Sequence, residues 1–272
     1  MDVRPIGIFD SGVGGLSVVK ELIKIMPNES VVYFGDTGRV PYGTKSDETI
    51  KKYARQDEEF LLSKDVKMII VACGTVSSVA LPPSQEFDLS IMGVVAPAAR
   101  DAVCATKNKK IGVIATSATV NSNSFVNQIK SIEKDAQVYQ VACPLFVSLV
   151  EQGWIADDDE IAYLTAKKYL EPLKQIGVDT LILGCTHFPL LTGVIKRVMG
   201  EGVTLINSGA SAAKFAKELL QKEDMLSDGE KPPVREFFVS DTPDSFESVA
   251  HRFLNADLKG QVKQINIENY GR

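Results

Sequence analysis

Short β-rich apolar runs alternate with helix-length segments from one end of this 272-residue chain to the other. That alternation constrains the fold more than any other feature. Residues 5–9, 31–34, 68–72, 91–95, 110–115, 137–142, 180–183, 204–206 and 236–239 read as strands. Helical spacing of apolar residues recurs over 16–26, 46–62, 124–132, 157–176, 211–220 and 244–254. Several strands are almost wholly apolar, as in a sheet covered on both faces. Strands that alternate with helices of this length predict parallel sheets with helices on either side.

The pattern also repeats. Ile6-Gly7-Ile8-Phe9-Asp10-Ser11 is echoed 105 residues later by Ile111-Gly112-Val113-Ile114-Ala115-Thr116. Ile69-Ile70-Val71-Ala72-Cys73-Gly74-Thr75 is echoed 112 residues later by Leu181-Ile182-Leu183-Gly184-Cys185-Thr186-His187. Two echoes in the same order, each ending in a polar turn, predict an α/β fold of two pseudo-symmetric, Rossmann-like domains with mostly parallel sheets. The first domain is expected to comprise 1–96 plus 208–272, where the αβ pattern resumes, and the second 97–207.

Composition removes several function classes. The formal net charge is −5 and no Lys/Arg run reaches five residues, so nucleic acid and anionic lipid are not expected partners. The apolar stretches 68–73 and 91–99 fall short of the ~20 residues of a membrane span. No charged segment followed by a long apolar core opens the sequence, so a cytoplasmic location is expected. The four cysteines (Cys73, Cys104, Cys143, Cys185) form no Cys-x-x-Cys pair, and there are only two histidines, so no metal site is expected.

Ligands of open parallel sheets sit beyond the carboxyl ends of the strands. There the sequence places Asp10-Ser11, Asp36, Cys73-Gly74-Thr75, residues 116–119, and Cys185-Thr186-His187. If the halves face each other, Cys73 and Cys185 approach one space from opposite sides. That suits a racemase, in which one group removes an α-proton and another delivers a proton to the opposite face. Each cysteine sits at a strand-to-helix turn where a helix dipole could lower its pKa. His187 and Asp10 could assist, and the surrounding hydroxyls and turn N–H groups suit carboxylates. The bland readings are buried core cysteines, an Asx-turn at Asp10 and a capping role for His187. Cys104 and Cys143 are expected in the core, and His251 on the surface.

Weaker patterns are set aside. Gly12-Val13-Gly14-Gly15 lacks the spacing of a dinucleotide fingerprint. Residues 17–20 match Ser-x-x-Lys without its companion motifs. Residues 157–160 read as a solvated helix start. A Cys–His hydrolase built on Cys185 and His187 remains an alternative, although two residues on one turn align poorly. A nucleotide-binding module is another.

The chain resembles bacterial glutamate racemases along nearly its whole length. The matching stretches are 6–15 (IGIFDSGVGG), 35–37, 41–44 (PYGT), 71–75, 143–151 (CPLFVSLVE) and 184–189 (GCTHFP). The resemblance implies cofactor-independent interconversion of L- and D-glutamate for peptidoglycan, with the site between two α/β domains and a homodimeric assembly. It implies that Cys73 works on D-glutamate and Cys185 on L-glutamate, with Asp10, Glu151 and His187 as auxiliary groups. Its substrate contacts fall on Ser11, Pro41, Tyr42, Gly43, Gly74, Thr75, Thr116, Thr119 and Thr186. The chain departs from the family at Gly74, where an asparagine is usual, and at Phe125, often a tyrosine. The alternatives are a racemase of another amino acid, such as aspartate, or a glutamate racemase weakened by Gly74.

Overall fold

The two sheets are built from strands that run parallel in every pairing. The structure is a computed structural model that describes residues 2–81 and 89–271. In chain order, β1 (Ile6–Asp10), α1 (Leu16–Ile25), β2 (Val31–Gly35), α2 (Asp47–Leu62), β3 (Met68–Val71), α3 (Gly74–Val79) and β4 (Ser90–Gly93) open the fold. They are followed by α4 (Val95–Ala105), β5 (Lys110–Ala115), α5 (Ser117–Ser122), α6 (Ser124–Ile132), β6 (Gln137–Ala142) and α7 (Pro144–Gln152). Next come α8 (Glu160–Ile176), β7 (Thr180–Leu183), α9 (Thr192–Met199) and β8 (Thr204–Asn207). The last elements are α10 (Ser208–Lys222), β9 (Arg235–Val239), α11 (Pro243–Leu254) and β10 (Val262–Gln264).

The first sheet has the order β10-β9-β2-β1-β3-β4, the second β6-β5-β7-β8. The segment β2-β1-β3-β4 and the whole second sheet share one order, which is the repeat read in the sequence. In both sheets the chain reverses direction about its first strand, β1 or β5. A crevice opens at such a switch point, beyond the carboxyl ends. The turns at those ends are the ones that carry Ser11, Cys73, Thr116 and Cys185.

The central strands are buried because helices cover them on each side. β1 and β3 are enclosed throughout, as is all of β5 except Lys110. Caps fix where the helices begin. Ser46 Oγ accepts the N–H of Thr49, Asp159 that of Ala162, Thr116 that of Thr119, and Asn207 those of Gly209 and Ala210. Asp159 makes residues 157–160 the solvated helix start that was expected.

Three expectations need correction. The strand expected over 91–95 spans Ser90–Gly93, and Val95 already begins α4. An apolar run does not distinguish a buried strand from the buried helix that follows it. Cys104 is exposed on α4 rather than packed in the core, whereas Cys143 is buried. Cys73 does cap α3, but Cys185 precedes a 3₁₀ turn over Phe188–Leu191, and α9 starts only at Thr192. No helix dipole therefore points directly at Cys185. Among the described residues no helix is long and apolar enough to cross a membrane.

Far from the crevice, Lys67 is enclosed with its Nζ 2.7 Å from Glu29 Oε2. It also donates to the carbonyls of Asp2 and Met225, tying the N-terminal segment and the stretch after α10 to β3. Removing one partner of a buried pair strands the other charge. Lys67→Met should destabilise the fold by about 3–5 kcal/mol in urea unfolding. A loss under about 1 kcal/mol would show that the pair is dispensable.

Candidate active site

The four turns meet around one cavity of about 200 Å³. Ser11, Cys73, Gly74 and Thr75 line it from the first sheet, and Thr116, Gly184, Cys185, Thr186 and His187 from the second. Pro41, Tyr42 and Gly43 close one side. The cysteines therefore share one space, as the sequence expectation required. The two halves touch at its rim, where Thr75 Oγ1 and Thr116 Oγ1 lie 2.9 Å apart. Thr116 Oγ1 also lies 3.1 Å from Thr119 Oγ1, so Thr119 supports Thr116 from behind and is not on the cavity wall.

The two sulfurs have different surroundings. Cys73 Sγ lies 3.6 Å from Ser11 Oγ. Burial, and then the charge of Asp10, push its thiol up to about 12. Asp10 is buried beneath the wall, and its Oδ2 accepts the Gly12 N–H, forming the Asx-turn considered above. Burial pushes the Asp10 carboxyl up, opposed by the charge of His187 and the dipoles of nearby N–H groups. Cys185 Sγ lies 3.9 Å from His187 Nδ1. His187 Nε2 is 3.0 Å from Glu151 Oε1. Burial alone would lower the His187 pKa, but its bonds to Cys185 and Glu151, and their charges, carry it up to about 10. At neutral pH an imidazolium stands beside Cys185, with Glu151 behind it and off the cavity wall.

A second set of buried charges fixes the residue 41–44 loop. Arg39 Nε meets Asp36 Oδ2 at 2.6 Å and its Nη2 meets Asp57 Oδ1 at 3.1 Å. Ser240 Oγ donates to Asp36 Oδ1 at 2.7 Å. The Tyr42 hydroxyl points into this cluster, bonding Asp36 and Asp57, and not into the cavity. Burial and the two carboxylates push its pKa well up, so it remains a donor. Tyr42 thus reaches the cavity with its ring and backbone. Phe125 is fully buried in the core and does not line the cavity.

Sequence reasoning missed Thr44, Ser117, Pro144, Val147, Ser148 and Gly184 on the wall. Three of these lie in the CPLFVSLVE stretch, whose helix α7 begins at Pro144 and presents Val147 and Ser148 one turn later. Neither lysine nor arginine is among the lining residues; the polar groups on the wall are hydroxyls, thiols, backbone groups and the His187 ring. Among the described residues no group of three or more His, Cys, Asp or Glu is placed to hold a metal.

Comparison with known proteins gives one consistent picture. Residues 6–216 match the profile of the Asp/Glu/hydantoin racemase family. The chain is 45% identical over 269 residues to the glutamate racemase of Geobacter metallireducens, covering 98% of each. The crystal structure of the Francisella tularensis glutamate racemase with D-glutamate superposes with a TM-score of 0.91 at 39% identity, covering 99% of this chain and 100% of that one. A glutamate racemase isoform from Bacillus anthracis gives 0.92 at 36% identity, covering 97% of this chain and 98% of that one.

The His187–Glu151 pair predicts a titration. In NMR of the free protein, the His187 ring should stay protonated through neutral pH and lose its proton near 10. Glu151→Gln should move that midpoint down. His251, the other histidine, is exposed on α11. A His187 midpoint near 6.5 would contradict the charge assignment.

Proposed function

For a chain that belongs to the Asp/Glu/hydantoin racemase family, we propose the interconversion of L- and D-glutamate by proton transfer at Cα, without a cofactor. The observation that carries this reading is the pair of cysteines, one from each sheet, facing a single cavity. In this reading Cys185 takes the α-proton of L-glutamate, and the Cys73 thiol delivers a proton to the opposite face. One C–H bond breaks and one forms, and the two sulfurs exchange protonation states. The D-to-L direction runs the same steps backwards, and solvent resets the free enzyme. A Cys73 thiol raised to about 12 is a resting proton donor, which suits the L-to-D direction.

The α-proton of an amino acid is far less acidic than a thiol. Stabilising the carbanion therefore falls to preorganised donors in a cavity that excludes water. Ser11, Thr75, Thr116 and Thr186, with the backbone of Gly43 and Gly74, are the proposed carboxylate contacts. Pro41 and Tyr42 shape the wall, and Thr119 holds Thr116. His187 keeps positive charge at Cys185, Glu151 orients His187, and Asp10 stands behind Cys73. The proposal extends to a supply of D-glutamate for peptidoglycan in the cytoplasm and to a homodimer. Light scattering should then give twice the 29.6 kDa chain mass; the single-chain mass would overturn the pairing.

Racemisation is followed by circular dichroism with glutamate and, in parallel, aspartate. The expected result is inversion of glutamate without added pyridoxal phosphate. Cys73→Ser and Cys185→Ser should each lower kcat/KM by about 10²–10⁴-fold, the usual worth of a general acid or base. Full activity in either variant, or preference for aspartate, would overturn the reading.

A further inference from the structure

Gly74 opens α3 immediately after Cys73 and meets the opposite turn backbone to backbone. A Cβ at this position would lie 2.3 Å from the Gly184 carbonyl oxygen and 3.9 Å from Cys185 Cα. Both sides are tied to their sheets. Gly184 N–H is bonded to the Ile114 carbonyl at 2.8 Å, and a Cβ on Gly184 would itself meet that carbonyl oxygen at 2.9 Å. On the other side, Ser77 Oγ donates to the Val71 carbonyl at 2.8 Å and accepts the Val94 N–H at 3.2 Å, tying α3 to the ends of β3 and β4. Other close glycines differ. Gly12 faces Val40 Cγ1 and Gly43 faces Thr116 Cβ, each at 3.2 Å, close enough to need only a few tenths of an ångström of adjustment. Gly14 packs on Thr186 and His187 themselves, so a change there would disturb the site directly.

We infer that the missing side chain at Gly74 sets the separation of the two sulfur-bearing turns, which makes Gly74 a positioning residue for proton transfer. The inference rests on the reading that Cys73 and Cys185 act on opposite faces of one substrate. Gly74 is not in the left-handed region, so alanine is acceptable to its own backbone and improves helix propensity. The whole effect of a side chain falls on the spacing of the turns. Reaching an ordinary contact from 2.3 Å takes a shift of roughly 1 Å. A misplacement of about 1 Å costs on the order of 100-fold when reacting atoms must sit about 3–3.5 Å apart. The same contact leaves no room for the asparagine usual at this position in the resembling family. Gly74 is thus built into the closed site and is not a lost contact.

The test compares wild type, Gly74→Ala and Gly74→Asn with L-glutamate in D₂O. Formation of D-glutamate and entry of deuterium into unreacted L-glutamate are read together, beside thermal melting. At a temperature where melting shows each variant fully folded, both should lose about 100-fold in kcat, with KM changed less. A carbanion that waits longer for the opposed thiol exchanges more before it inverts. The ratio of exchange to inversion should therefore rise, which general loosening of the fold would not produce. A kcat and ratio within about twofold of wild type, or a faster Gly74→Asn enzyme, would overturn the inference. A wild type inert on glutamate defeats the functional reading instead. Crystal structures then decide the spacing. The Cys73–Cys185 Cα separation should grow by about 1 Å in Gly74→Ala, and an unchanged separation overturns the inference.

Discussion

Close contact between the carboxyl ends of two parallel sheets is the constraint on which the site depends. In each sheet all carboxyl ends face one way, so the turns after β1, β3, β5 and β7 project toward a common space. Thr75 meets Thr116 there, Gly14 packs under Thr186 and His187, and Gly74 touches Gly184. A Cβ on Gly14 would lie 2.3 Å from Thr186 Oγ1, and one on Gly74 2.3 Å from the Gly184 carbonyl oxygen. At Gly14 and Gly74 the chain is bare where the halves touch.

Within this enclosure the two halves are alike in backbone and unlike in charge. Cys73 shares its side with a buried carboxylate, and its proton is held tightly. Cys185 shares its side with an imidazolium that Glu151 supports from outside the cavity. The two sulfurs thus face one cavity from unlike electrostatic surroundings. The Arg39 cluster adds stiffness by a different route. Its buried ion pairs and the Tyr42 hydroxyl hold the 41–44 loop from behind and leave the loop backbone to face the cavity. Arg252 plays a related part on the other flank, donating to the Glu151 carbonyl at 2.5 Å while Phe253 meets the His187 ring edge-on.

Much of this was legible in the sequence, because strand periodicity and the two echoes report directly on burial and on turn position. The repeats pairing Ile6–Asp10 with Lys110–Ala115, and Met68–Val71 with Thr180–Leu183, located all four site-bearing turns. The short helices α3, α5, α7 and α9 were not read, since six to nine residues give little periodicity. For the same reason Pro144, Val147 and Ser148 were missed on the cavity wall. Asp10, Thr119 and Glu151 stand behind groups that face the cavity. The direction of the Tyr42 hydroxyl depends on Asp57, fifteen residues away on α2, which no local pattern encodes. Cys104 failed as a core residue because an apolar residue type does not say which side of α4 it occupies.

A crystal structure of the protein with D-glutamate bound tests the central claim most directly. The account predicts the substrate Cα between the two sulfurs, each about 3–3.5 Å from it and on opposite faces. A complex in which Cα faces only one of Cys73 and Cys185, with the other sulfur out of reach, would contradict it.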